Sequence, residues 1–304
     1  MTSTTRGLLA ATLASTIWGG MYVVSRYALA VVPPLTLLAL RFLVALPTLW
    51  VWHGLTERRR PDWRWPDREA WQDLLFIGFV GYAVSLGAQF AGTALAGAAV
   101  GSVITSATPA FVALFAWLIL RERPDARKLI GLAIASAGVL LVIGATRPGG
   151  ATGSTDRMLA GGAFLVLAAV SWALYSVLVR RATLRRGLSS LTITVGATVC
   201  GMLFDLPLAG MELAGSNVGT IMAGVHPVIV LAVLYLGVIS TALAFHLWNV
   251  GFALLDANTA ALCLFAQPLV GAALGALLLG ETLTAGFVVG GLLIALGALI
   301  SERR

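Results

Sequence analysis

Several side chains that can hydrogen-bond stand near the middle of long apolar runs: Trp18, Tyr82, Thr108 and Gln267, with Ser240 and Thr241 close to the same depth. Apolar surroundings cannot satisfy such groups, so each must face another helix or a water-filled space. Trp18, Tyr22 and Ser25 follow the spacing i, i+4, i+7 and share one helix face, and Trp172, Tyr175 and Ser176 form a similar group later in the chain. A wall of aromatic rings and hydroxyls suits a ligand that is part apolar and part polar; aromatic packing between helices is the plainer alternative. Arg26 and Arg41 are the only Lys or Arg more than three positions from a run end. Each costs roughly 2.5–3.5 kcal/mol at a helix centre and must reach the interface, pair or line water. Arg26 is placed to reach the outer interface, and Arg41 to face a cavity or cap a neighbouring helix. With no Asp or Glu at mid-depth, His246 is the sole candidate for proton transfer, weighed against a packed histidine. Three histidines and two cysteines, Cys200 and Cys263, have no metal-ligand spacing, so neither a metal nor another cofactor is expected. A nucleophile and base could be imagined in Ser102 and His246, but nothing in the spacing supports the pair, and no enzyme is expected.

The elements that hold these residues are set by composition. Apolar residues make up 59% of the 304 and charged residues 11%, against roughly 25% charged in soluble domains. Hydrophobic stretches of spanning length recur along the chain, which predicts an all-α polytopic membrane protein. Ten spans are expected, at 7–30, 34–53, 71–92, 97–120, 127–146, 158–182, 188–209, 226–252, 256–279 and 284–301. With the N-terminus inside, 16 of the 20 Lys and Arg fall on the cytoplasmic side, so both termini are expected in the cytoplasm. The net charge of +7 therefore records topology, and no nucleic-acid partner follows from it. The basic loop 53–70 is surrounded by Trp50, Trp52, Trp63, Trp65 and Trp71, which reads as an anchor in the headgroup layer.

The chain is also internally duplicated. A shift of 159 positions places Gly78 on Gly237, Gly92 on Gly251, Pro109 on Pro268, Glu122 on Glu281, Gly131 on Gly290 and Gly138 on Gly297. A shift of 154 does the same at the front, for Trp18 and Trp172 and for Arg26 and Arg180. The expected units are a first five-helix repeat at 1–146, a linker at 147–157 and a second repeat at 158–304. Five is odd, so the second copy enters the membrane from the opposite side, and the halves are inverted repeats. Pro109 and Pro268 each remove a backbone hydrogen bond at mid-depth, a paired set of hinge positions. Glycine and alanine crowd the fourth, fifth, ninth and tenth spans, which favours close packing within one chain; a monomer is expected, with a dimer the alternative.

Trp18-Gly19-Gly20 followed by Arg26, Leu40-Arg41-Phe42, and the paired blocks Pro109…Arg121-Glu122 and Pro268…Gly280-Glu281 resemble the drug/metabolite transporter superfamily, in its ten-helix EamA-type branch. The second copy departs in having Ala173-Leu174 where the first has Gly19-Gly20. The resemblance covers nearly the whole chain and is greatest to bacterial aromatic amino-acid exporters. It implies a central cavity between the repeats, residence in a bacterial inner membrane, and export of amino acids, other metabolites or drugs. On that footing Trp18, Tyr22, Tyr82, Thr108, Trp172, Tyr175, His246 and Gln267 are the candidate substrate-binding residues. No Asp or Glu lies at mid-depth, which favours a facilitator of amino-acid movement over a proton-coupled multidrug exporter; a channel or receptor fits paired kinks less well.

Overall fold

In the computed structural model of the chain, residues 2–59, 63–96, 104–105, 107–123, 125–145, 155–279 and 285–302 are described. Among these residues there are ten principal helices and no strand: α1 Ser3–Leu29, α2 Pro34–Thr56, α3 Arg68–Ala96, α4 Thr108–Leu120, α5 Ala126–Ala145, α6 Thr155–Arg186, α7 Ser190–Ala214, α8 Pro227–Leu254, α9 at 257–279 and α10 Ala285–Glu302. Helices are what such a sequence must form, because lipid offers no partner to a backbone N–H or C=O. Five segments, Pro34–Thr56, Arg68–Ala96, Leu159–Arg186, Ser190–Ala214 and Pro227–Leu254, are long and apolar enough to cross a bilayer by length and composition. α1 is diluted by hydroxyl residues, while α4 and α9 are broken near their prolines.

Helix boundaries fall within a few residues of those expected, except where 97–103 lies outside the described residues. Most of the linker, 146–154, also lies outside them, while α6 begins at Thr155. One element was not anticipated, a short helix Val218–Gly224 between α7 and α8. Asn217 caps it by accepting from Thr220 N–H at 3.1 Å. Five of these helices start on side-chain caps, with Thr2, Asp67, Asp125, Ser189 and Asp256 each accepting a backbone N–H three residues on. At the end of α2 the Arg58 guanidinium lies 4.2 Å from the Trp50 ring centre and 4.7 Å from that of Trp65, a cation–π cluster at the basic loop.

Packing repeats with the sequence. α1 lies on α8 and α9, and its counterpart α6 lies on α3 and α4; α2 pairs with its own counterpart α7, and α5 with α10. The contacts match residue by residue. A Cβ on Gly92 would meet Leu165, and one on Gly251 would meet Ala11, the residue 154 positions earlier. A Cβ on Gly138 would meet Gly290 and Ile294, and one on Gly297 would meet Gly131 and Ala135. The self-paired helices run antiparallel: Thr36 near the start of α2 binds Glu212 near the end of α7, while His53 near the end of α2 meets Thr192 near the start of α7. Antiparallel equivalents require an axis perpendicular to the helices, so the repeats are inverted about an axis in the membrane plane.

Both copies interrupt their helices at the same places. α3 widens to a π-helix over Phe79–Ser85, and α8 over Tyr235–Leu243. Ahead of the prolines the chain tightens: Ala107 N–H bonds Ile104 C=O at 3.1 Å, and the equivalent residues Cys263–Phe265 form a 3₁₀ turn. Such interruptions expose backbone groups and reorient side chains, and here they surround the centre of the bundle.

Close approach at glycine gives a direct test of the packing. A Cβ on Gly78 would stand 2.5 Å from Ala197 O and 2.7 Å from Cys200 Cβ, so Gly78→Ala must push α3 from α7. A loss of about 1–3 kcal/mol is expected, read as a lower unfolding midpoint in detergent. Gly54→Ala, with nothing within 4 Å, is the control and should unfold no earlier than the parent.

Candidate functional site

A cleft with about 480 Å³ of space not filled by atoms, open solvent at its mouth included, lies between the repeats. α1 contributes Trp18 and Met21, α2 Arg41, and α3 Ser85, Leu86 and Gln89. From the second copy come Ala168, Ala169 and Trp172 of α6, Phe245 of α8, and Leu264 and Gln267 of α9; Thr105 and Thr108 complete the wall. Most of the lining is paired by the duplication: Trp18 with Trp172, Leu86 with Phe245, Thr105 with Leu264, and Thr108 with Gln267. Trp18 and Trp172 meet edge to face with ring centres 5.3 Å apart, so the pseudo-two-fold axis passes between them. Phe245 stands 5.4 Å from each. The Trp18 indole N–H donates to Ser240 C=O at 3.0 Å, a carbonyl within the π-helical turn of α8.

Of the residues singled out in the sequence, Trp18, Thr108, Trp172 and Gln267 stand on this wall. Tyr82 and Tyr175 are fully buried beside it, their hydroxyls 3.4 Å apart. The Tyr175 hydroxyl donates to Asn249 Oδ1 at 2.8 Å, and Asn249 Nδ2 donates to Thr194 Oγ1 at 2.9 Å. This chain braces the wall instead of facing the cleft. His246 is absent from the lining: its ring packs edge-on against Trp52 of α2, centres 4.5 Å apart. The π-helical turn just before it shifts the face that 3.6-residue periodicity would have assigned. Tyr22 is on α1, but its side chain lies outside the described residues, as does Ser102. Pro109 is buried at the start of α4, and Pro268 is half-buried in α9. Among the described residues no three His, Cys, Asp or Glu side chains gather in a way that could hold a metal ion.

Phe245, Ser85 and Asn249 belong to the site or its bracing and were not among the sequence candidates, while Arg41, placed by the sequence to face a cavity or cap a neighbouring helix, lines the cleft. For Asn249 the available signal was an amide inside an apolar span; for Arg41 it was a cation there.

One end of the bundle is tied by charge. Arg180 Nε at the end of α6 donates to Glu122 Oε1 at 2.6 Å, and its guanidinium also binds the carbonyls of Phe252 and Leu255 at the end of α8. The other oxygen of Glu122 accepts Ala257 N–H at 2.9 Å, at the start of α9. Glu122 is aimed inward by Arg121, which ends α4 with φ of 60°, a left-handed backbone that non-glycine residues adopt at a cost. Beside this knot Lys128 Nζ donates to Asp256 Oδ1 at 2.7 Å. Burial pushes the Asp256 carboxyl up, but the bonds from Lys128 and Thr259 outweigh it and hold the group below the usual carboxylate range. The contribution of that shift is complete above the unfolded value and is lost only as pH falls through the lowered one, so it does not change between pH 5 and 8. Glu281, the counterpart of Glu122, lies outside the described residues.

Two inverted helical repeats enclosing a mixed aromatic and polar cleft at their interface define a membrane transporter. The profile of the EamA-like transporter family matches residues 5–144 and again 159–302, and the chain belongs to that family. An uncharacterized transporter of Archaeoglobus fulgidus is 26% identical over 308 residues, covering 100% of this chain and 99% of that one. A protein of Salmonella typhimurium named a probable amino-acid metabolite efflux pump is 27% identical over 298 residues, covering 96% of this chain and 93% of that protein. A solved crystal structure superposes with a TM-score of 0.79 at 21% identity, over 98% of this chain and 96% of its own; this likeness bears on the fold alone.

Proposed function

We propose that the protein exports amino acids, aromatic and other neutral ones among them, by alternating exposure of the central cleft. The observation that carries the reading is the wall itself. Trp18, Trp172 and Phe245 offer aromatic faces, while Gln267, Thr108 and Ser85 offer hydrogen-bonding groups to a zwitterion. The Salmonella relative, named an amino-acid metabolite efflux pump, supports the same class. The prolines Pro109 and Pro268 act as the bending points, and the substrate moves down its own gradient without a cofactor. The protein works as a monomer in a bacterial inner membrane, with both termini and the Arg180–Glu122 knot on the cytoplasmic side. Its three units are the repeats at 1–146 and 158–304 and the linker at 147–157.

The test is counterflow in proteoliposomes preloaded with unlabelled substrate. Labelled phenylalanine, tryptophan or leucine should accumulate transiently with equal pH on both sides, and an imposed pH gradient should add nothing at steady state. Sustained accumulation driven by the pH gradient would overturn the facilitator reading. Absence of counterflow for the whole amino-acid panel, with a cationic drug moving instead, would favour a multidrug exporter.

A further inference from the structure

Arg41 is the exception to the symmetry of the cleft. Gly237 packs on Arg41 and Val44, and its counterpart Gly78 packs on Ala197 and Cys200, so Arg41 corresponds to Ala197 at a shift of 156. One copy therefore carries a cation where the other carries a methyl group. The side chain is fully buried, yet it lines the cleft. Its Nε donates to Thr241 Oγ1 at 2.8 Å and one terminal nitrogen to Ser240 Oγ at 3.4 Å, both on the π-helical turn of α8. Thr241 is itself held, donating to Leu236 C=O at 2.7 Å. The guanidinium carbon lies 5.5 Å from the Phe90 ring centre and 5.8 Å from that of Phe245. The remaining terminal nitrogen, Nη1, has no hydrogen-bond partner among the described residues, and none of their carboxylates forms an ion pair with Arg41.

A cation held in place by neutral hydroxyls and aromatic faces, with one N–H edge buried and unpartnered at the wall of a cleft, is half of an ion pair. We infer that Arg41 is the anchor for a carboxylate, and that the carboxylate is the part of the substrate the protein selects. This rests on the cleft being the substrate site, and it names the group recognised there. Nη1 is buried and unpartnered at the wall of the cleft, and a carboxylate oxygen takes up its N–H on binding. The ring of an aromatic substrate then lies toward Trp18 and Trp172, on the same wall. A charge-assisted bond of this kind carries about 10- to 100-fold in affinity. The site accordingly takes amino acids and simple organic acids, and discriminates against amines and amides of the same shape.

Calorimetric titration of the purified full chain in detergent tests this with four probes sharing a phenyl ring. Phenylalanine and 3-phenylpropionate keep the carboxylate; phenylalaninamide and 2-phenylethylamine lack it. The first two should bind at least tenfold more tightly than the last two, a comparison that needs no variant. Arg41→Gln should then remove the preference, and Arg41→Lys should retain part of it. Equal affinity for all four, no binding by any of them, or a preference that survives in Arg41→Gln would overturn the inference. Phenylalanine counterflow inhibited equally by all three analogues would also overturn it while leaving amino-acid export standing. Carboxylate-selective binding lost in Arg41→Gln, without counterflow of any amino acid, would uphold Arg41 and overturn amino-acid export.

Discussion

Glu122→Ala should open the end of the bundle that the Arg180–Glu122 knot ties and shift the protein toward the state exposed on that side. The carboxylate joins α4 to α6 through Arg180 and to α9 through Ala257 N–H, so its loss frees both at once. It also leaves Arg180 only 14% exposed and without an anion. Removing one partner of a well-buried pair costs roughly 3–5 kcal/mol, and some remaining exposure puts this pair at the lower end. In the alternating access proposed above, the knot breaks when that end opens, so the loss falls on one conformation. About 1.4 kcal/mol of such bias shifts the population tenfold, so the labelling rate of a cavity cysteine from that side should rise at least that much. Glu122→Gln keeps an acceptor and should give a smaller rise. Unchanged labelling in Glu122→Ala would mean that the knot is a static brace.

Trp18→Ala should be the most damaging single change at the cleft, affecting stability and transport together. The indole packs against Trp172, Phe245 and Trp248 at ring-centre distances of 5.3–5.4 Å and is only 4% exposed. Truncating such a residue costs about 3–5 kcal/mol in lost contacts and cavity formation. The sequence offered cavity wall or aromatic packing as alternatives for it; its position on the axis makes it core and wall at once. Trp18→Phe separates the two roles. It keeps a ring for Trp172 but leaves Ser240 C=O without its indole donor, a cost of about 1–3 kcal/mol. The expected order of unfolding midpoints is parent, Trp18→Phe, then Trp18→Ala. An alanine variant that unfolds with the parent would show the aromatic cluster to be peripheral.

The duplication made much of this architecture readable before any coordinates. The offset of 159 that pairs Gly138 with Gly297 reappears in their reciprocal contacts, because small residues recur where equivalent backbones touch. Counting depth along spans brought Thr108 and Gln267 to one cleft, since proteins of this kind bring equivalent residues together near an axis. The misreadings sit next to the π-helical turns. A π-turn adds a residue per turn, so His246, just beyond Tyr235–Leu243, faces Trp52 and not the cleft. Arg41 was visible as a costly cation, but its setting depends on Ser240 and Thr241, some two hundred residues away, and on a turn geometry that no periodicity reveals. The bracing chain of Tyr82, Tyr175, Asn249 and Thr194 spans four helices and has no local signature.

The central claim is that one cleft between the repeats is exposed alternately to the two sides of the membrane. It is tested most directly by a cysteine at Gln267, in a chain whose Cys200 and Cys263 are replaced by alanine. Membrane-impermeant thiol reagents are applied from each face of sealed vesicles. Labelling is predicted from both faces, in proportions that Glu122→Ala shifts toward the side the Arg180–Glu122 knot ties and that saturating phenylalanine slows from either side. Labelling from one face only, unaffected by Glu122→Ala and by substrate, would contradict alternating access through this cleft.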